Sequence, residues 1–227
     1  MRPTLCQVDL SAIATNVAAL QKRAGVPLCA VVKANGYGHG AVPVARAALE
    51  AGAAWLAVAL VEEGIELRQA GIDAPILLLS EPTIASLSQV LEFRLTPTVY
   101  RIATVTALAE AALSSGPIAV HVGVDSGMRR VGVELSELAD VLAAVDAHES
   151  LRLEAIWTHF PVADEPDNPF TARQLTAFGS AVEATGAVAG THVANSASAI
   201  LHADPDAFMV RCGICLLYTS PSPRDRG

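Results

Sequence analysis

Three things are scarce in this 227-residue chain, and each scarcity removes a class of function. Basic residues are outnumbered. The 15 Lys and Arg against 23 Asp and Glu leave a net charge of −8, with no basic stripe to follow a nucleic-acid backbone. No stretch holds the roughly 18 uninterrupted apolar residues that a membrane span needs. The amino terminus, Met1-Arg2-Pro3-Thr4-Leu5, has no long apolar core of the signal-peptide kind, so the expected address is cytoplasmic. Cysteine occupies only four positions, which suits a reducing compartment, and Cys6 and Cys29 read as small core residues. Cys212 and Cys215 form a lone C-x-x-C pair. With no second pair for zinc and no thioredoxin-like setting, it reads as coincidence, and no metal site is expected. A 52% hydrophobic and 17% charged composition is that of a compact domain, not a disordered chain.

What is present is organised around residues 28–40. The run Leu28-Cys29-Ala30-Val31-Val32 is β-branched enough for a buried strand, and Lys33 closes it. Gly36, Gly38 and Gly40 then alternate with other residues and free the backbone to turn tightly. A helical pattern follows in Val42, Ala45, Ala48 and Leu49. Lys33 therefore stands where a strand's carboxyl end meets a strand-to-helix loop, the usual place for a ligand site in α/β proteins. The spacing is not G-x-G-x-x-G, and no Gly-Lys-Ser/Thr closes a phosphate loop.

Asp9 or Ser11 can cap a first helix whose apolar stripe runs Ile13, Val17, Leu20 and Ala24, with Gly25 as terminator. A module then recurs: an alanine-rich amphipathic helix, a glycine stop, a short apolar run. Counting from Leu28, the strand candidates are 28–32, 55–58, 76–79, 95–99, 118–124, 153–157, 190–194 and 208–211. Helical patterns over 41–50, 62–70, 83–91, 102–113, 135–145 and 171–184 separate most of them. Strict alternation implies a parallel sheet, and eight units imply an α/β fold closed as a (β/α)₈ barrel, with a doubly wound open sheet as the alternative. Residues 1–215 read as that single domain. Residues 216–227, rich in Pro and Arg and without periodicity, read as an irregular tail.

The carboxyl ends of these runs hold Lys33, Leu79, Arg130, His159, Ser196 and Arg211, which a barrel would bring to one face. Taken singly, each has an ordinary explanation as a solvated strand end, a polar turn or a structural histidine. Their surroundings are more specific. Val31-Val32-Lys33-Ala34-Asn35-Gly36-Tyr37-Gly38-His39-Gly40 closely resembles the signature of alanine racemases, pyridoxal-phosphate enzymes of the barrel type. Asp125-Ser126-Gly127-Met128-Arg129-Arg130-Val131-Gly132 resembles the family string D-[ST]-G-M-x-R-x-G. Thr158-His159-Phe160 followed by Ala163-Asp164-Glu165 is similar to T-H-F-x-x-A-D-E, His192 to Ala197 to H-x-A-N-S-A, and Arg211-Cys212-Gly213-Ile214 to R-x-G-I.

The resemblance implies a role for each matched position. Lys33 would carry pyridoxal 5'-phosphate as an internal Schiff base and, once freed, act as one base. Arg130 would hold the cofactor's phenolic oxygen and the substrate carboxylate, a task that suits a planar, permanently charged fork. His159 would lie at the cofactor ring and orient the arginine beneath it. Arg211 would bond the pyridine nitrogen. Tyr37, Ser196, Gly213 and Ile214 would hold the phosphate, with Asn195 and Leu79 completing the cofactor set. The implied activity is interconversion of L- and D-alanine, an isomerase step of D-alanine biosynthesis that supplies a peptidoglycan precursor. The partners implied are a small amino acid and a second copy in a homodimer, with no nucleic acid or membrane.

The pattern also departs from the family. Alanine racemases continue into a β-rich domain that supplies the second base, a tyrosine, to the partner's active site, and no counterpart is found in this sequence. Gly123 stands where several members carry a carbamate-modified lysine that steadies the arginine of D-[ST]-G-M-x-R. A strand over 4–8 would normally pair with the absent domain. The alternatives are a non-catalytic cofactor-binding barrel of the pyridoxal-phosphate homeostasis kind, a racemase for serine or another small amino acid, and a scaffold that merely retains the barrel.

Overall fold

The first helix, Leu10–Ala24, follows directly from local chemistry. Asp9 accepts hydrogen bonds from the Ser11 and Ala12 amides, Gly25 ends the helix at φ 71°, and Ile13, Val17, Leu20 and Ala24 form its buried face. The computed structural model describes residues 7–201 and 204–217. Cys6, most of the strand expected over 4–8, and positions 218–227 of the expected tail lie outside the described residues.

Nine strands follow among the described residues: β1 Leu28–Val31, β2 Trp55–Val58, β3 Ile76–Leu78, β4 Thr98–Val99, β5 Ile118–Asp125, β6 Val133–Glu134, β7 Leu151–Trp157, β8 Gly190–His192 and β9 Val210–Cys212. All the pairings are parallel, in two ladders ordered β3-β2-β1-β9 and β4-β5-β7-β8. Two seams join the ladders. Leu78 N–H donates to Thr96 O at 2.9 Å and Thr96 N–H to Ile76 O at 2.8 Å, which carries β3 across to β4. Phe208 N–H donates to Thr191 O at 2.8 Å and Arg211 N–H to Ala194 O at 3.0 Å, which closes β8 onto β9. The ring is therefore complete in chain order, a (β/α)₈ barrel, and the open-sheet alternative falls.

The eight expected runs supply the eight barrel strands. The ninth strand, β6, is an addition that pairs only with the carboxyl end of β5, through Val124↔Val133 and Asp125↔Glu134. Leu216 and Leu217, the first two positions of the expected tail, belong to a short helix, Ile214–Leu217, and are buried in the same cluster as the first helix and β1.

Strand alternation separates two cores. Leu28 and Ala30 face the outer helices with Val17, Leu20, Val44 and Ala48, while Cys29 and Val31 face the barrel interior with Ala57, Leu77 and Met209. On the other side, Val120, Val122 and Val124 pack outward against helices that include Leu108, Leu138 and Phe178. Each such Leu, Ile or Val contributes about 1.5–3 kcal/mol on burial. Among the inward positions of this second half, His121, Trp157 and His192 carry rings, and ring contacts link His121 to Trp55 and Phe208 at 5.5 and 5.8 Å.

Candidate active site

The ten positions singled out from sequence, Lys33, Tyr37, Leu79, Arg130, His159, Asn195, Ser196, Arg211, Gly213 and Ile214, all line one cavity of about 680 Å³. It lies where the carboxyl ends of the strands meet. Its charged lining is Lys33, Arg130 and Arg211 against Asp164, an excess of positive charge in an acidic chain.

Lys33 is presented by an unusual turn. Ala34, Asn35, Gly36 and Tyr37 all take left-handed φ values of 53°, 53°, 60° and 53°, followed by Gly38 at 85°. For a residue with a Cβ this conformation costs roughly 1–2 kcal/mol, so the surroundings must impose it. Two side chains do so. Glu63 accepts from the Ala34 amide at 2.5 Å through Oε1, and from the Ala59 and Leu60 amides at 2.8 and 3.0 Å through Oε2. Asn35, a residue that tolerates this region, accepts from the Ala41 amide at 2.8 Å and so starts the helix Ala41–Glu50. The loops after β1 and β2 are tied together at the lysine.

Arg130 sits on the loop after β5. Asp125 Oδ1 accepts from the Gly127 and Arg129 amides at 2.8 and 3.0 Å, and Gly132, at φ 114°, lets the chain return against its own strand. Ser126 Oγ and Thr158 Oγ1 are 2.8 Å apart, which joins this loop to the one carrying His159. The Arg130 side chain makes no hydrogen bond or ion pair among the described residues. At Gly123 the space a side chain would need is taken: a Cβ would stand 2.9 Å from Thr98 Cγ2 and 3.5 Å from the Trp157 ring. Trp157 Nε1–H donates to Thr98 Oγ1 at 3.1 Å, so those two side chains are locked in place.

On the opposite wall, the Gly213 amide donates to Ser196 Oγ at 3.0 Å. A Cβ on Gly213 would collide with the Tyr37 hydroxyl, so the absence of a side chain lets the phenol close over this corner. Asn195 braces it: Nδ2 donates to Phe160 O at 2.7 Å, while Oδ1 accepts from the Ser198 amide at 3.1 Å. Two hydroxyls and a backbone amide meeting at a helix start can hold an anionic oxygen cluster.

Arg211 is 4% exposed. Nη1 donates to His192 Nδ1 at 2.6 Å and His192 O at 2.7 Å; Nη2 donates to Thr158 O at 2.7 Å and Val193 O at 3.5 Å. The resemblance gives His159 the task of orienting this arginine; among the described residues no hydrogen bond joins the two, and His192, on the adjacent strand, holds Arg211 instead. Burial pushes the Arg211 guanidinium down to about 10, and burial followed by the charges of Arg211, Arg130 and Lys33 pushes the His159 imidazole down to about 3. His159 is thus neutral and hydrogen-bond competent at pH 7. Burial likewise drives His192 well below its usual value and raises the Tyr37 phenol.

The sequence reading did not single out His121, an inward-facing histidine in an otherwise apolar strand. The only available signal was a polar residue at an odd position of the Val120-His121-Val122 alternation. Cys212 is buried and Cys215 reaches the cavity, both as free thiols. Among the described residues no cluster of His, Cys, Asp and Glu is arranged to hold a metal ion, and no helix is long and apolar enough to cross a membrane.

Comparison with known proteins bears on this site. A family profile described as "Alanine racemase, N-terminal domain" matches residues 8–221. An alanine racemase of Symbiobacterium thermophilum is 43% identical over 230 aligned positions, covering 98% of this chain and 61% of that protein. "Alanine racemase 2" of Bacillus subtilis is 40% identical, over 97% of this chain and 59% of that protein. Among solved structures, an alanine racemase of Clostridium difficile 630 superposes with a TM-score of 0.89 at 33% identity, covering 95% of this chain and 59% of that one. The chain thus spans about three fifths of the length of these relatives.

Proposed function

This chain belongs to the family of the alanine racemase N-terminal domain, and from that membership we propose that it is the pyridoxal-phosphate-binding barrel of an amino-acid racemase acting on alanine. The observation that carries the reading is the meeting of Lys33, Arg211 and the Tyr37–Ser196–Gly213 corner in one cavity. The residues fit the cofactor on chemical grounds. Only two lysines occur in the chain, and one of them, Lys33, lines the cavity. The corner that Gly213 keeps open, closed by the Tyr37 hydroxyl, suits a phosphate. When bound, pyridoxal phosphate supplies an electron sink that acidifies the Cα proton of an amino acid.

The chain's own residues then have distinct tasks. Lys33 Nζ takes and returns the Cα proton on one face. Arg211, cationic at neutral pH even with its buried guanidinium pushed down to about 10, would offer a hydrogen bond to the pyridine nitrogen and so keep it unprotonated. Arg130, exposed at the cavity mouth and free of protein partners among the described residues, receives the substrate carboxylate. His159, held neutral, would border the bound ring without adding a fourth positive charge. Racemisation needs a second acid/base on the opposite face. We assign it to the further β-rich domain of a partner copy, in a homodimer. The residues assigned here do not separate alanine from serine or another small amino acid.

The test is the absorbance spectrum of the full chain with pyridoxal phosphate beside Lys33→Ala. A band present only with Lys33 supports the assignment. Because Lys22, at the end of the first helix, is the single other lysine, a band of equal strength in both proteins would mean adventitious labelling and would sink it.

A further inference from the structure

Beneath the cavity a line of hydrogen bonds runs down the barrel interior. It starts at the contact between Arg211 Nη1 and His192 Nδ1, continues from His192 Nε2 to His121 Nδ1 at 2.9 Å, and from His121 Nε2 to Glu154 Oε2 at 3.2 Å. Both rings are fully buried, at 0% and 1% exposure, while the Glu154 side chain is 19% exposed and also accepts from Arg152 at 3.1 Å. We propose that His121 and Glu154 are positioning residues that fix the donor geometry of Arg211 through His192. The proposal rests on the assignment of Arg211 to the site.

The hydrogens along this line can be placed without choice. A guanidinium only donates, so His192 Nδ1 must accept. A neutral His192 then carries its hydrogen on Nε2 and gives it to His121 Nδ1. His121 in turn carries its hydrogen on Nε2 and gives it to a carboxylate that only accepts. Burial favours the neutral form of both imidazoles, in agreement with this order. The reverse order would place an N–H of His192 against an N–H of Arg211 at the 2.6 Å contact and force the guanidinium to move. Glu154 is the member that forbids reversal, because an ionised carboxylate has no hydrogen to send back.

The surroundings support a purpose for this line. The apolar cluster of the barrel interior is Cys29, Val31, Ala57, Leu77 and Met209, with Trp55 and Phe208 packed against it, and an aliphatic or aromatic side chain would pack at position 121 with no polar group to satisfy. Arg211 is also clamped from its face: its guanidinium lies 4.7 Å from the centre of the Trp157 ring, and that ring stacks on His192 at 12° and 5.9 Å. Four of its five N–H groups are spent on His192, Thr158 and Val193, which leaves Nε–H without an acceptor among the described residues. Among the described residues no carboxylate bonds Arg211 directly; Glu154 answers its charge across two neutral rings.

The experiment is long-range ¹H–¹⁵N spectroscopy of histidine-labelled full-length chain, without and with pyridoxal phosphate, paired with the dissociation constant of that cofactor. Wild type is expected to show both rings with hydrogen on Nε2. Glu154→Gln, whose carbonyl oxygen still accepts, should keep that order. Glu154→Leu should give His192 a population with hydrogen on Nδ1 and weaken cofactor binding roughly tenfold, the effect of one misplaced hydrogen bond to a charged group. His121→Phe keeps the ring contacts to Trp55 and Phe208 and should produce the same two changes if Glu154→Leu does not fold. A wild-type His192 with hydrogen on Nδ1, or variants with unchanged tautomer and affinity, would overturn the proposal. If wild type itself fails to bind pyridoxal phosphate, the cofactor assignment falls, and the tautomer spectra of the free protein still decide the relay.

Discussion

The Tyr37 hydroxyl occupies the place where a side chain on residue 213 would begin. The two residues come from loops at opposite ends of the sequence, after β1 and after β9, which pair side by side through Cys29↔Arg211 and Ala30↔Cys212. Gly213→Ala is expected to push the phenol out of its corner and to weaken pyridoxal phosphate binding by about ten- to a hundredfold, equivalent to roughly 1.4–2.8 kcal/mol. The thermal midpoint should fall by only a few degrees, because the clash is with a side-chain end and not with backbone. Combining it with Tyr37→Phe, which removes the atom in closest conflict, should recover the packing without the affinity. Cofactor titration of the three proteins decides this, and a Gly213→Ala variant that binds like wild type refutes it.

A second prediction concerns the strained turn. Glu63→Ala removes the acceptor of three amides, those of Ala34, Ala59 and Leu60. With two of the three bonds exposed and one part-buried, the expected loss is about 1–2 kcal/mol of stability. The local effect should be larger than the global one: amide exchange over 34–38 should accelerate, and the Lys33-dependent absorbance band should weaken. Unchanged exchange in that segment would mean that Asn35 and the glycines alone hold the turn.

How much of this could be read from the sequence depended on how local each cause was. The first helix was legible from cap to terminator, because Asp9, the Ile13–Val17–Leu20–Ala24 stripe and Gly25 act within one element. The ten site positions were legible as motifs, and eight alternating runs placed them at one end of a barrel. The strain at Ala34, Asn35 and Tyr37 was not, because Glu63, outside the motif, helps to impose it. The seams through Thr96 and Phe208, and the pairing of β6, are register choices that single strands do not encode. The hydrogen bond from Arg211 to His192 was not legible for the same reason. Which histidine meets Arg211 depends on which strands are neighbours and on how their inward faces align.

Gly132 offers a test of backbone approach rather than side-chain space. Its φ of 114° is hard for any other residue, and a Cβ there would stand 2.5 Å from the Asp125 nitrogen and 2.6 Å from the Val124 carbonyl carbon. Gly132→Ala should therefore cost more than about 3 kcal/mol, since backbone conflict and strain add. Gly186→Ala is the control. It shares a left-handed φ of 66° but meets nothing within 4 Å, so the strain alone, about 1–2 kcal/mol, is expected. Urea denaturation of both variants measures the difference, and equal losses would remove the steric argument.

Stability should depend steeply on mild acid, and the sign follows from the histidines. His121, His159 and His192 all have folded values below the usual 6.5, His159 at about 3, with burial the largest cause in each case. In the unfolded chain each binds a proton near its ordinary value, so between pH 6.5 and the folded values the unfolded state holds more protons than the folded one. Their contribution is complete above about pH 6.5 and is lost as the pH falls, each histidine adding up to ~1.4 kcal/mol per pH unit. Most carboxylates are still ionised from pH 6.5 to about 5, so this window isolates the imidazoles. The urea midpoint should fall clearly between pH 7 and 5. His121→Phe, whose side chain cannot titrate, should show a shallower slope even if it is less stable at pH 7. A midpoint that holds steady across that range would mean that the buried imidazoles take up protons in the folded barrel, and the fixed hydrogen order beneath Arg211 could not stand.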